Sequence, residues 1–141
     1  MCRFLGGALL VIFILIAAAG VWIGQANDYE TDGTLALSSL SAPVTVTRDS
    51  RGIAHIAASN RRDLLRAQGF VTAQDRLFQM EFFRMLAWGR LSELVGEAGL
   101  SSDREMRVLG LPSNARRMAR QFAPDVSEFL GDYLEGVNAY I

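Results

Sequence analysis

Few side chains in this sequence have a strong intrinsic claim on chemistry. His55 is the one imidazole and Cys2 the one thiol. An imidazole titrates near neutral pH and can serve as a general base. His55, however, stands between Ala54 and Ile56 in a stretch of strand composition, which reads as a core histidine hydrogen-bonded to backbone. Asp75 and Arg76 adjoin one another within a largely apolar helical stretch. A buried charge must be paired or hydrogen-bonded, so these two are expected to clamp the hairpin or a neighbouring helix rather than touch a substrate. Glu81 and Arg84, three apart, read as a helix-surface ion pair worth roughly 0.2–0.5 kcal/mol. Arg116, Arg117 and Arg120 share a face that could attract an anionic surface, but it reads as solvated. One Cys excludes a disulfide within the chain, and one Cys with one His excludes a structural zinc site. There is no G-x-S-x-G elbow, P-loop, G-x-G-x-x-G or H-E-x-x-H. From spacing alone, no residue is assigned as catalytic, cofactor-binding or metal-ligating.

The chain that must position these groups has 141 residues, with 14 Arg, no Lys and 15 Asp plus Glu, a net charge of −1. No basic surface follows from that balance, and no nucleic-acid partner is expected. Half the residues are hydrophobic, which excludes intrinsic disorder. The length suits about one small domain.

The apolar residues are unevenly spread. Phe4 to Gly24 contains no charged or polar side chain, and at ~1.5 Å per residue this run spans roughly 30 Å, the hydrocarbon thickness of a bilayer. Arg3 precedes it, while Asp28, Glu30 and Asp32 follow, so the remainder is expected outside the cytoplasm. Residues 1–26 therefore read as a signal anchor, facing the periplasm from the inner membrane, with residues 4–24 in the bilayer. A cleaved signal peptide is the alternative, because Ala17 and Ala19 offer an A-x-A pattern. Cys2 precedes the apolar run, unlike the cysteine of a lipoprotein. Residues 27–42 read as a linker, with Asp32-Gly33 as a turn and Ser38, Ser39 and Ser41 near its end.

From Pro43 the texture changes. Val44 and Val46 alternate with Thr45 and Thr47, Asp49-Ser50-Arg51-Gly52 is a turn, and Ile53–Ala58 reads as the returning strand of a hairpin. Asn60 is an expected helix N-cap, with Asp63 completing a capping-box-like start. Leu64, Ala67, Val71, Phe78, Phe82 and Met85 then form one helical stripe, and Gly69 is expected to interrupt the helix. Phe70, Leu77 and Trp88 add a second apolar flank, so this helix needs partners on several sides. Ser102-Asp103-Arg104-Glu105 reads as a capping box opening a short helix. Pro112 opens another, with Ala115, Met118, Ala119 and Phe122 on one face. Pro124 opens the last, with Val126, Leu130, Tyr133, Val137 and Tyr140 at core spacing. No Gly or Pro stops that helix before Ile141, so the chain is expected to be truncated.

Several strings carry a family resemblance. Ala42-Pro43-Val44-Thr45-Val46-Thr47-Arg48-Asp49, followed by Gly52-Ile53-Ala54-His55-Ile56-Ala57-Ala58, resembles the opening of the penicillin acylase family. So does Ala67-Gln68-Gly69-Phe70-Val71-Thr72-Ala73-Gln74-Asp75-Arg76-Leu77-Phe78-Gln79-Met80-Glu81. Gly89-Arg90-Leu91-Ser92-Glu93-Leu94-Val95-Gly96 follows, then Asp103 with Arg107, and Glu135-Gly136-Val137-Asn138-Ala139-Tyr140-Ile141. Each string is weak alone; their order and spacing together are specific, over about residues 33–141. The family usually has Pro where Ala54 stands.

The resemblance implies an exported N-terminal nucleophile hydrolase that cuts its own precursor into α and β chains. The new N-terminal Ser of the β chain attacks an amide carbonyl, with its own α-amine as base, and an oxyanion hole stabilises the intermediate. Implied substrates are small acylated amines, such as β-lactam side-chain amides, acyl-homoserine lactones or acylated lipopeptides. The implied partner is the downstream β chain, and a structural calcium is implied for the full-length parent. The matching positions for nucleophile, oxyanion donors, calcium ligands and acyl-pocket helix lie beyond Ile141. Gly33-Thr34, the one Gly followed by Ser, Thr or Cys, precedes the first of these strings and is not taken as a processing junction. The expected fold is therefore α+β: an N-terminal membrane or signal helix, a β-hairpin and several helices, a fragment of an αββα sandwich. Residues 43–141 would be the N-terminal part of the α chain, inactive alone and poorly folded. An alternative from another class is a non-catalytic, single-span periplasmic interaction module.

Overall fold

The computed structural model describes residues 2–26 and 32–141, which divide into two compact units, residues 1–35 and 36–141. In the first, Cys2–Ala26 forms helix α1. Its described side chains run from Leu10 to Gly24 and are exposed. Among the described residues no helix is long and apolar enough to cross a membrane. The expected span through residues 4–24 is thus without support, and the side chains at 4–9 lie outside those described. So do residues 27–31 of the expected linker.

The second unit is mostly helical with one small sheet. Strands β1 (Thr45–Arg48) and β2 (Ala54–Ala57) pair antiparallel, Thr45 opposite Ala57 and Arg48 opposite Ala54. The first is shifted by one residue from the Val44–Thr47 pattern, and the second is shorter than the expected Ile53–Ala58. The turn joining them is organised by Asp49. Its carbonyl accepts from the Gly52 N–H at 2.9 Å, and its Oδ1 accepts from the Arg51 and Ile53 N–H groups, each at 2.9 Å. A two-stranded ribbon of this length is marginal in water, so it needs a support.

That support is α2 (Arg61–Ala87). Asn60, in extended conformation, accepts from the Asp63 N–H at 2.8 Å, as the sequence predicts for the N-cap. Gly69 does not interrupt the helix. Instead, the backbone leaves helical angles at Arg76 (φ −141°, ψ 20°), where α2 kinks. Gly89, at φ 63°, ends the element: the Arg90 N–H reaches back to the Met85 carbonyl at 2.9 Å, a left-handed closure that favours Gly. The kink divides the stripe read from the sequence. Before it, Ala67 and Val71 of the stripe are buried, joined by Leu65 and Ala73, while Leu64 is exposed and Leu65 takes its place in the core; beyond it, Phe78 is 72% exposed.

A short helix α3 (Ser92–Val95) leads through a 3-10 turn into α4 (Leu100–Leu109). The predicted box at Ser102–Glu105 does not open α4, which begins at Leu100. The Asp103 side chain turns away to cap α3, because three N–H and O–H donors there have no helical partner of their own. Helix α5 (Leu111–Ala119) carries Pro in its first turn and buries no residue. Helix α6 (Pro124–Tyr140) packs on α2, the most extensive contact between elements. Phe70 and Tyr140 meet edge to face there, with ring centroids 5.5 Å apart.

Candidate functional site

Four polar nodes organise the second unit, three of them tied to α2. The first joins the hairpin to that helix. Arg48 donates to Asp75 through both terminal nitrogens, at 3.0 and 2.8 Å, to Gln74 Oε1 at 3.0 Å and to the Gly52 carbonyl at 3.1 Å. A bidentate guanidinium–carboxylate pair fixes orientation as well as distance. The hairpin clamp expected of Asp75 is therefore present, immediately before the kink. Its neighbour Arg76 instead donates to Gln79 at 3.2 Å on the helix surface.

The second node is Asp63, fully buried. It accepts from Ser41 N–H at 3.0 Å, Ser41 Oγ at 2.7 Å, Ala42 N–H at 3.0 Å and Asn60 Nδ2 at 2.7 Å. These donors, led by the Ser41 hydroxyl and N–H, hold its carboxyl far below the usual carboxylate range. The third node is Asp103, which accepts from Leu91 N–H at 2.7 Å, Ser92 N–H at 2.9 Å and the Ser92 hydroxyl. Burial pushes this carboxyl up, and the Ser92 and Leu91 donors bring it below its ordinary value. The fourth node ties α2 to α6. Arg62 Nη2 lies 2.6 Å from Glu128, and its Nε 3.4 Å from Asp132. Arg66 meets Asp132 at 3.2 Å and also Glu135.

The candidates singled out by residue type do not converge. His55 is not in the core: its side chain is 64% exposed, and its Nε2 lies 3.8 Å from Asp49 Oδ2. His55 and Ala57 lie on the exposed face of β2, while Ala54 and Ile56 on the other face are half-buried. Asp49 sits below its ordinary pKa, first through the Ile53 N–H and lastly through His55. Glu81 and Arg84 form the exposed i,i+3 pair the spacing predicts, at 2.5 Å, and Arg84 also lies over the Trp88 ring. Arg116 and Arg120 are exposed, as is Arg117, which donates to Asn114 at 3.0 Å. An open groove on α1, lined by Phe13, Ile14, Ala17, Ala18, Val21 and Trp22, carries no ionisable group.

Among the described residues, no three His, Cys, Asp or Glu side chains are disposed to hold a metal ion. The arrangement builds a scaffold: Asp63, Arg48, Asp103 and Arg66 each tie a segment or helix to another element. Sequence reasoning missed Arg48 and Arg66 altogether. The signal for Asp63 was its place in the first helical turn, and for Asp103 its place beside Ser102; both pointed to local capping rather than to donors far along the chain.

Comparison with known proteins bears on what this scaffold serves. Residues 43–141 match the family described as penicillin amidase. The chain is 45% identical over 109 residues to the penicillin acylase 2 proenzyme of Pseudomonas sp. strain SE83, covering 77% of this chain and 14% of that protein. It is 38% identical over 139 residues to the acyl-homoserine lactone acylase QuiP of Pseudomonas syringae pv. syringae, covering 96% of this chain and 17% of that protein. A solved thermostable penicillin G acylase from Alcaligenes faecalis superposes with a TM-score of 0.60 at 31% identity, over 70% of this chain and 52% of that one. The chain thus spans less than a fifth of the length of these two curated relatives.

Proposed function

Since the chain belongs to the penicillin amidase family, we propose that it is the N-terminal part of the α chain of an acylase that hydrolyses the amide bond of a small acylated amine. The observation that carries this reading is the unbroken family match over residues 43–141. Relatives named for penicillin and for acyl-homoserine lactones share one reaction: water divides an acyl group from an amine. In this reading, self-cleavage of a longer precursor exposes a β-chain N-terminal Ser. Its α-amine takes the hydroxyl proton as the oxygen attacks the substrate carbonyl. An oxyanion hole stabilises the tetrahedral intermediate, and water then releases the acyl group. The same reading places those groups beyond Ile141.

The part played by this segment is to frame the catalytic sheets of an αββα sandwich with its hairpin and helices. The exposed apolar side chains beyond the kink, Phe78 among them, and Val108 at 87% exposure suit such packing. Export belongs to the same proposal, with residues 1–26 as anchor or cleaved signal; its support is the apolar run of the sequence. Any structural calcium would be held by residues other than these.

The test is to express the complete reading frame and follow it by intact-mass spectrometry. Two chains with a new N-terminal Ser, Thr or Cys, and amine release from penicillin G or an acyl-homoserine lactone, are the expected results. A full-length protein that neither divides nor hydrolyses any acylated amine overturns the proposal.

A further inference from the structure

The segment 39–42 is fastened to the first two turns of α2 by its own polar groups. The Ser39 carbonyl accepts from Arg66 Nη1. The Ser41 N–H, the Ser41 hydroxyl and the Ala42 N–H all donate to Asp63, at 3.0, 2.7 and 3.0 Å. Asn60 Nδ2 donates to the same carboxylate at 2.7 Å and reaches Ser41 Oγ at 3.4 Å. Arg66 simultaneously meets Asp132 and Glu135 of α6, so one guanidinium grips the segment and the last helix together. Just upstream, Ala36 and Ser38 are exposed.

We propose that residues 39–42 form a strap that sets the inner limit of N-terminal processing. An endoprotease can remove the chain up to about Ser38 and is stopped at the strap while Asp63 and Arg66 hold it. The physical reason is competition for the same backbone groups. A protease binds its substrate as an extended strand through main-chain N–H and C=O groups, and in the strap the Leu40, Ser41 and Ala42 N–H groups and the Ser39 carbonyl are already engaged. Cutting there first requires local release, which leaves the buried Asp63 carboxylate without three of its donors. In the cleavage itself, water is the co-reactant. Its hydroxyl joins the carbonyl carbon of one peptide bond N-terminal to Ser39, the C–N bond breaks, and the proton goes to the departing amine.

The experiment is limited digestion of the chain, with its natural flanking sequence, by subtilisin, reading new N-termini by mass spectrometry. The resistant product is expected to begin between residues 36 and 39. In Asp63→Asn, cleavage within 39–42 is expected to accelerate by about tenfold or more and the resistant start to move beyond Ala42. A wild-type product starting beyond Ala42, or an Asp63→Asn chain with unchanged start and rate, overturns the proposal. Should Asp63→Asn fail to fold by circular dichroism, Ser41→Ala decides in the same way. It deletes one donor, so faster strap cleavage supports the proposal and an unchanged rate overturns it.

Discussion

Gly69 and Gly136 interlock across the crossing of α2 and α6, each lying against the carbonyl oxygen of the residue three positions before the other. A Cβ on Gly69 would clash with the Tyr133 carbonyl oxygen, and one on Gly136 with the Arg66 carbonyl oxygen. The two backbones therefore approach without side chains between them, close enough for Cα–H to face C=O. Arg66 is shared with the ion pairs that close the same crossing.

That interlock makes a prediction with an internal control. In a helix interior, Gly→Ala with free space stabilises by about 0.5–1 kcal/mol. Gly131, on α6 with nothing near its missing Cβ, should behave so. Gly69→Ala and Gly136→Ala press instead on backbone that cannot rotate aside. Each should cost about 3 kcal/mol, read from urea midpoints. Equal effects at all three positions would contradict the geometry.

The hairpin hangs on Arg48 and Asp75. Arg48→Met or Asp75→Asn should lower stability by ~1–2 kcal/mol, because the pair is bidentate and only partly exposed. The loss should be local: amide exchange should accelerate in β1 and β2 while residues 63–73 of α2 stay protected. Uniform acceleration would mean the pair supports the whole unit.

Acid sensitivity follows from Asp63. Its folded pKa lies well below the ordinary 3.8, so it contributes stability that is fully present above the unfolded value. That contribution is lost progressively as pH falls past it towards the folded one. Denaturant midpoints should be flat between about pH 7 and 5 and fall below about pH 4. Asp49 and Asp103, also lowered, add to the slope. Asp63→Asn should melt ~5–10 °C lower near neutrality and decline less steeply in acid.

Phe78 discriminates between a solvated and a docked face. At 72% exposure, Phe78→Ser should change the stability of this chain by less than about 0.5 kcal/mol. In the longer precursor proposed above, the same substitution should reduce the yield of self-cleaved product. Unchanged maturation would show that the face beyond the kink is not covered.

What the sequence disclosed was local. The hairpin, the Asn60 cap, the helices signalled by Pro112 and Pro124 and the existence of α4, though not its start, follow from turn chemistry, capping and period, which act over a few residues. What escaped were ties between distant residues. Asp63 and Asp103 look like members of capping boxes, and nothing local says that their donors come from residues 41–42 and 91–92. Gly69 looks like a helix breaker because its benefit, admitting α6, lies far along the chain. His55 was misjudged because strand composition says nothing about which strand face is covered. The candidate site was legible only as a resemblance, since no spacing within the chain singled out a catalytic group.

The crossing of α2 and α6 also orders events during synthesis. Hairpin, strap and α2 can assemble as soon as they leave the ribosome, since their contacts are close in sequence. The surface of α2 that receives α6 waits until residue 136 has emerged, and long-range closure of this kind is slow. What waits includes Gly69, whose missing Cβ leaves room for the Tyr133 carbonyl, and Phe70, whose ring later meets Tyr140. The backbone contact at Gly69 that holds the finished unit is thus among the last to form.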